Sequence, residues 1–148
     1  MSMWQAGAEY GAVAVTIDGG ELAAYRLARM SARLVQGLSG GGGDPEAVWQ
    51  ALAASCTTDF AISRTLTALG RSAPLQGHRI EVRGIHRVQV FGAVEAPCTL
   101  AAALRVLGCS ECGPGCFDVV LAVGLKRDDV VVAAFELELR LQRRIAAA

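Results

Sequence analysis

The sequence is poor in several residue types that often mark a class of protein. It contains no asparagine, one lysine among its 14 basic residues, and only 5% aromatic residues. The basic residues are balanced by 14 acidic ones, which gives a formal charge of zero. A nucleic-acid-binding protein usually has a basic excess gathered on one face. We therefore expect no nucleic-acid partner.

Long hydrophobic runs are missing as well. The longest, such as residues 130–135, fall far short of the roughly 20 residues that a membrane-spanning helix needs. Residues 1–20 show no basic segment followed by a closed apolar stretch and a cleavage site, so we expect no signal peptide. These absences predict a cytoplasmic protein with no membrane partner.

What the sequence does contain is enough apolar material for one core. Its 148 residues are 53% hydrophobic and 19% charged, which excludes a disordered linker and predicts a single domain over residues 1–148. Five cysteines are present, an odd number that cannot pair completely. In a reducing compartment they indicate redox chemistry, metal binding or buried small side chains rather than a disulfide-linked scaffold.

The first 44 residues give mixed signals. Residues 12–17 are apolar and β-branched, and the Asp18-Gly19-Gly20 sequence that follows is a turn signal typical of a hairpin. The apolar positions of residues 21–38 fit neither the helical nor the strand period cleanly, and we favour strands or a broken element there. Gly40–Gly43 predicts a hinge; the stretch lacks the lysine and hydroxyl of a phosphate-binding loop.

The clearest helix follows this hinge. Asp44 can cap it, Pro45 suits the first helical position, and Glu46 favours the positive end of the helix dipole. Gly70 predicts its end. Because almost nothing polar interrupts residues 47–54, we expect the helix to be central in the fold.

The second half of the chain predicts strands around another helix. Alternating apolar residues predict strands over 80–90 (broken at Arg83-Gly84) and over 130–142. An apolar run predicts another strand over 117–124, followed by a polar turn at 126–129. Pro97 predicts the start of a second apolar helix over Cys98–Leu107, ended by Gly108. The fold class is then α+β, with two central apolar helices packed against an antiparallel β-sheet.

The cysteines permit several kinds of chemistry. Cys56 lies within the first helix, where a buried small side chain is the common use and a reactive thiolate is the functional one. Cys109, Cys112 and Cys116 form a C-x-x-C-x-x-x-C loop that suits zinc or an iron–sulfur cluster, with Cys98 or Cys56 as a fourth ligand. A thiol–disulfide couple is the other interpretation of this loop.

Residues 43–84 resemble the central segment of the OsmC/Ohr family of organic-hydroperoxide resistance proteins. The shared features are Pro45-Glu46 at the start of an Ala-rich helix, Cys56 ten residues beyond the glutamate, and a loop leading into a strand at Ile80. The resemblance implies an OsmC/Ohr-like intertwined homodimer. It also implies a thiol-dependent peroxidase of the oxidative-stress response, which reduces organic hydroperoxides with a dithiol reductant and no cofactor.

The resemblance also assigns roles to residues. Cys56 would be the peroxidatic thiol, and Cys109 the resolving thiol with Cys112 and Cys116 as competitors. Glu46 would orient an assisting arginine. The candidates for that arginine are Arg26, Arg29 and Arg33. The walls of the substrate pocket would be Trp49, Leu52 and Phe60.

One distance sets a condition on this interpretation. Ten helical residues rise about 15 Å, so Glu46 cannot touch Cys56 along one straight helix. A bridging arginine, a late helix start or a contribution from a second subunit would resolve the conflict. Two alternatives stay open: a protein that binds zinc or an iron–sulfur cluster through its cysteine loop, and a non-catalytic OsmC-like oligomeric protein.

Overall fold

A computed structural model describes residues 4–39, 45–72, 75–92 and 94–144. Within these ranges the chain forms two helices and five strands. In chain order they are β1 (Glu9–Ile17), α1 (Gly19–Ser39), α2 (Pro45–Gly70), β2 (His78–Val90), β3 (Cys98–Gly113), β4 (Cys116–Arg127) and β5 (Val130–Arg143). The predicted hinge at Gly40–Gly43 and the cap at Asp44 lie outside the described residues.

The five strands form one antiparallel sheet in the order β1-β3-β4-β5-β2. Strands β3, β4 and β5 are neighbours in sequence and in space, so local hairpins build the centre of the sheet. The β4–β5 turn is made by Asp128 and Asp129, whose φ angles of 49° and 66° suit a two-residue hairpin turn. Longer connections place β1 and β2 at the two edges.

The core lies between one face of this sheet and the helices. Alternate residues of the three central strands point into it, because side chains along a strand alternate between the two faces. The second half of α2 supplies Phe60, Ala61 and Leu69 to the same core. The buried strand residues include Leu100, Leu104, Val119, Leu121, Val123, Leu125, Phe135, Leu137, Leu139 and Leu141.

Several predicted elements are confirmed. Helix α2 begins at Pro45 and ends at Gly70, as the proline and glycine signals indicate. Strand β5 runs from Val130 to Arg143, with Leu137, Leu139 and Leu141 buried on one side. The two polar-flanked strands predicted over 80–90 are one strand, β2, and the predicted break at Arg83-Gly84 is a register shift between Val82 and Gly84.

The prediction for residues 18–38 is wrong. Asp18 does not open a hairpin; its carboxylate accepts a 2.8 Å hydrogen bond from the backbone N–H of Gly20, and its carbonyl accepts one from Leu22. These bonds satisfy donors at the start of a helix. The chain from Gly19 to Ser39 is therefore α1, a helix with Leu22 buried and Leu27 exposed.

The second apolar helix, predicted over Cys98–Leu107, is also wrong. These residues belong to β3, with Leu100, Ala102 and Leu104 buried at every second position. The intervening positions include Ala101 and Ala103, which are themselves apolar, so the sequence hides the period of two. The OsmC/Ohr-like arrangement of two central apolar helices is consequently wrong, because α2 packs against a sheet that contains the second segment as a strand.

Trp4 packs between residues from the two edge strands. Its ring centroid is 5.5 Å from that of Tyr10 in β1 and 6.4 Å from that of His78 in β2. It is only 2% exposed. The residues before β1 therefore cover one end of the core.

In the part of the chain that the structure describes, neither helix has a stretch long and apolar enough to cross a membrane.

Candidate functional site

Helices α1 and α2 are held together by three side-chain contacts. The rings of Tyr25 in α1 and Phe60 in α2 lie 5.3 Å apart. Within α2, the guanidinium of Arg64 lies 5.1 Å from the Phe60 centroid. Arg64 also pairs with Glu21 of α1. Arg26 of α1 also donates a hydrogen bond to the hydroxyl of Thr57, which is buried on α2. These contacts fix the position of one helix relative to the other.

A cavity of about 460 Å³ lies where the two helices meet β2. Its α2 wall is a single helix face, because positions three, four and seven residues apart point the same way. It is lined by Tyr25 and Arg29 of α1, Asp59, Ile62, Ser63 and Leu66 of α2, and Ile85 and Val88 of β2.

The lining of this cavity has polar and apolar parts. Asp59 and Ser63 are one turn apart on α2, and Asp59 is the single acidic residue among those that line the cavity. The guanidinium of Arg29 lies 5.4 Å from the centroid of the Tyr25 ring. This contact keeps the positive charge of Arg29 at the cavity. Four aliphatic side chains complete the lining. Such a site can bind a small molecule with a short apolar part and a polar group that accepts hydrogen bonds.

The cavity is open on its β2 side. Ile85 and Val88, which line it, are 39% and 45% exposed, and Val90 and Phe91 further along are 56% and 61% exposed. Strand β2 is also an edge of the sheet. A partly uncovered apolar wall therefore runs along an unpaired strand.

A second cavity, of about 440 Å³, lies against the far side of the sheet and includes Cys109 in its lining. Its charged side chains are Arg83, Asp118 and Glu138. Two hydrogen bonds from Arg140 are the largest cause of the lowered pKa of the Asp118 carboxyl. Glu138 lies 3.4 Å from the Nε2 of His86. The two carboxylates are therefore already partnered within the sheet.

The three loop cysteines, Cys109, Cys112 and Cys116, differ in bonding state. Cys112 and Cys116 form a disulfide across the β3–β4 turn, with 5.2 Å between their Cα atoms, while Cys98 and Cys109 are free. Partial burial, followed by the nearby carboxylates of Asp118 and Glu111, raises the pKa of the Cys109 thiol. The carboxylates therefore favour the thiol over the thiolate.

The cysteine loop offers no metal site in the described residues. Residues 4–39, 45–72, 75–92 and 94–144 contain no group of three His, Cys, Asp or Glu side chains placed to hold a metal ion. Two of the three loop sulfurs predicted as ligands, those of Cys112 and Cys116, are bonded to each other. The same bond matches the thiol–disulfide interpretation of this loop, without Cys109 as a member.

The residues predicted from the OsmC/Ohr resemblance are only partly described. Glu46 and Cys56 lie in the unbroken helix α2, so a late helix start does not shorten the distance between them. Phe60 is buried against Tyr25 and Arg64 and does not line the cavity between the helices and β2. The side chains of Trp49, Leu52, Glu46 and Cys56 lie outside the described part, and the pairing of Cys56 with Cys109 stays a prediction.

The candidate arginines have different positions. Arg26 bonds to Thr57 between the helices, Arg29 lines the cavity, and the side chain of Arg33 lies outside the described part. The sequence reasoning missed Asp59. A signal was available, because Asp59 is the one acidic residue between positions 47 and 70, in a helix otherwise suited to the core.

The sheet order, the antiparallel pairing and the long helix packed on one sheet face define the hotdog fold. Two solved structures share it. A MaoC-like dehydratase from Rhodospirillum rubrum is 14% identical with a TM-score of 0.63, over 95% of this chain and 94% of that one. A monoamine oxidase regulatory protein from Archaeoglobus fulgius is 16% identical with a TM-score of 0.54, over 95% and 92%.

Sequence comparison adds no family. No protein-family profile matches the chain, and no curated protein sequence matches it.

The structural likeness overturns the OsmC/Ohr assignment. The neighbours are hotdog-fold proteins, and the resemblance over residues 43–84 rested on a helix start and one cysteine, which do not determine the fold around them. The thiol-dependent peroxidase function is wrong with it, together with its oxidative-stress role.

Proposed function

We propose that the protein is an enzyme of the hydratase or dehydratase type, which adds water to or removes it from a small carbonyl compound in the cavity between α1, α2 and β2. The observation that carries the proposal is the position of Asp59, an acidic group one turn from Ser63 on the wall of a cavity that four aliphatic side chains also line. A fold shared with a dehydratase supports it.

Asp59 supplies the acid–base chemistry in this proposal. In the hydration direction, its carboxylate takes a proton from water while the water oxygen bonds to the β-carbon of a conjugated double bond. The α-carbon then receives a proton, so that H and OH are added in total. Dehydration is the reverse. Positioned carboxylates perform such transfers in many enzymes.

Arg29 and Ser63 orient the substrate. Electron density moves onto the carbonyl oxygen as the β-carbon is attacked, and donors aimed at that oxygen stabilise the charge that develops there. Arg29 carries a fixed positive charge and Ser63 a hydroxyl donor on the same cavity. The aliphatic side chains of Ile62, Leu66 and Ile85 accommodate a short alkyl chain, which makes short-chain α,β-unsaturated thioesters suitable test substrates.

The cavity is completed by a second copy of the chain. In a homodimer, β2 of one subunit would pair antiparallel with β2 of the other, so that their unpaired backbone groups are satisfied. The pairing would cover the exposed side chains of Ile85, Val88 and Phe91. It would also close the open side of the cavity. Homodimer formation is thus part of the proposed function.

A cytoplasmic location is the final part of the proposal. The free cysteines Cys98 and Cys109 stay reduced in that compartment, and there we expect the disulfide between Cys112 and Cys116 to be reduced as well. Cell fractionation followed by detection with an antibody tests it, and recovery from an oxidising compartment contradicts it.

Turnover of a panel of short α,β-unsaturated thioesters, followed by loss of the conjugated double-bond absorbance, tests the chemistry. We expect Asp59→Asn to lower kcat by about 100-fold or more, since general acid–base catalysis contributes at least that much. Glu95→Gln, a change at an exposed carboxylate, should leave kcat unchanged. Saturable binding with no turnover of any thioester, or equal kcat for the two variants, would show that the proposal is wrong.

Sedimentation equilibrium tests the dimer. Phe91→Glu should shift the protein from dimer to monomer and lower activity, because it places a charge at the proposed β2–β2 contact. Leu27→Lys, which adds a charge at an exposed apolar position of α1, is the matched control and should leave the dimer intact. A wild-type monomer that turns over substrate contradicts the dimer and leaves the role of Asp59 standing.

A further inference from the structure

A third cavity, of about 380 Å³, lies between β1 and α2. Strand β1 is the edge of the sheet opposite to β2. Its strand wall is residues 14–16 of β1, and its helix wall includes Arg64, Thr67 and Arg71. Positions 64, 67 and 71 are three and four residues apart, so they share one face of α2. None of these residues belongs to the proposed active site.

The backbone of β1 is unpaired on the side of this groove. The N–H of Val106 donates to the carbonyl of Ala8, and the carbonyl of Val106 accepts from Gly7, so even-numbered residues of β3 direct their backbone groups toward β1. Their partners in the straight part of β1 are Val13, Val15 and Ile17.

Ala14 and Thr16 consequently point their N–H and C=O groups away from β3 and into the groove. No backbone hydrogen bond from elsewhere in the described ranges reaches Ala14 or Thr16 on that side. Both residues are exposed and line the groove. A row of unpaired backbone groups of this kind is a template for another extended chain.

The groove is lined by two carboxylates, Asp18 and Glu21, and by two arginines, Arg64 and Arg71. Arg64 is paired with Glu21. Asp18 accepts the 2.8 Å bond that caps α1, and its negative charge there is offset by the positive end of the helix dipole. Arg71 is exposed and makes no ion pair with any residue in the described ranges. A strand that enters the groove therefore meets a positive charge beside the backbone donors and acceptors of β1.

We propose that this groove binds an extended acidic segment of a partner protein as an added β-strand. Backbone hydrogen bonds to Ala14 and Thr16 supply the pairing, and a carboxylate of the segment pairs with Arg71. The straight part of β1, residues 13–17, spans about 17 Å at roughly 3.3 Å per residue. Five or six residues of the partner fill it.

A second copy of this chain fits the groove less well than an acidic segment. The straight part of its β1 reads Val13-Ala14-Val15-Thr16-Ile17 and carries no carboxylate to meet Arg71. The use of β2 in the proposed dimer leaves β1 free, since the two strands are opposite edges of the sheet. The inference does not rest on the proposed function, because none of its residues takes part in that site.

Fluorescence anisotropy with short labelled peptides tests the proposal on the full chain. The probe is a six-residue peptide of alternating glutamate and valine, and its control is the same peptide with lysine in place of glutamate. We expect saturable binding of the acidic probe only. Two further probes carry backbone N-methyl groups at the odd or at the even residues, and only one of these should bind, because a strand pairs through alternate residues.

Variants of the protein locate the site. Arg71→Ala should weaken binding of the acidic probe about tenfold, as expected for loss of one charge-assisted hydrogen bond. Arg79→Ala removes an exposed arginine of β2 instead and should have no effect. Thr16→Pro removes a donor that faces the groove without removing a bond to β3, and it should also weaken binding.

Three results would overturn the inference. They are equal binding of the acidic and basic probes, equal binding of the two N-methylated probes, and unchanged binding by Arg71→Ala. Self-association through β1, detected as loss of higher oligomers in Thr16→Pro, would assign the groove to a second copy and contradict an acidic partner.

Discussion

Arg140 and Asp118 face each other across β5 and β4 and are joined by two hydrogen bonds. The Nε of Arg140 lies 2.8 Å from Oδ1 of Asp118, and its terminal nitrogen lies 3.0 Å from Oδ2. These bonds lower the pKa of Asp118 and raise that of Arg140. Planar, two-pronged pairing of this kind fixes the carboxylate in one orientation, beside the thiol of Cys109.

The lowered pKa of Asp118 predicts a pH-dependent contribution to stability. A carboxyl whose folded pKa is depressed stabilises the fold above its unfolded pKa, and that contribution is lost as the pH falls through the folded value. Asp118→Asn should therefore lower the urea midpoint at neutral pH and make no difference at a pH below the folded pKa. Glu95→Gln is the control. A deficit that persists unchanged in acid would rule out the ion pair as its cause.

The same carboxylate should suppress the reactivity of Cys109. Partial burial raises the pKa of the Cys109 thiol, and the carboxylates of Asp118 and Glu111 raise it further. We therefore expect slow alkylation of Cys109 in the native protein at neutral pH and faster alkylation as the pH rises. Asp118→Asn should speed alkylation at neutral pH several-fold, because it removes one negative charge. Peptide mapping by mass spectrometry separates Cys109 from the other thiols. An unchanged rate in Asp118→Asn contradicts this explanation.

The core face of β5 predicts a large stability effect. Leu137 is fully buried on the middle of the strand, and removing a buried leucine side chain leaves a cavity that costs about 2–5 kcal/mol. Leu137→Ala should lower the free energy of unfolding in urea by that amount. Leu27→Ala, at a position 68% exposed on α1, should change it by less than about 0.5 kcal/mol. Similar losses for the two variants would show that β5 is not central to the core.

The disulfide between Cys112 and Cys116 should contribute little to stability. It closes a very short loop at the tip of the β3–β4 hairpin, and the chain-entropy account gives at most about 2 kcal/mol for such a loop. The double variant Cys112→Ser, Cys116→Ser should lose no more than this in urea unfolding under oxidising conditions. With a reductant present, it should match the wild-type protein. A much larger loss would mean that the bond supports more than the hairpin tip.

Local signals in the sequence were sufficient to predict an element where single residues determine its ends or its alternation. Pro45 and Gly70 marked the two ends of α2 because a proline suits the first helical position and a glycine suits the last. The alternation around Leu137 marked β5 because its outward positions are charged or polar. These elements can be derived without knowledge of their neighbours.

The sequence-based prediction was wrong where contacts with neighbouring strands determine the secondary structure. In β3 the outward positions include Ala101 and Ala103, so nothing in the sequence separates a strand from an apolar helix. Pro97 and Gly108 then read as helix ends. The strand is fixed by its register with β1 and β4, which only the folded chain provides.

The candidate site was missed for a related reason. The cysteine pattern carries no information about Asp59, although an acidic group within an apolar helix has to be solvated, paired or functional. What distinguishes Asp59 is the cavity formed with Tyr25 and Ile85, residues from two other elements. Their convergence depends on the sheet order and cannot be derived from spacing within α2.

The order β1-β3-β4-β5-β2 also has a consequence for how the molecule assembles. The central three strands are joined by tight turns and can pair early. Strands β1 and β2 are far in sequence from their partners β3 and β5, so closing those long loops makes their pairing slow. The last strands to join during folding are thus the two that we propose meet other chains. Trp4, which contacts residues of these two edges, would report when that final step is complete.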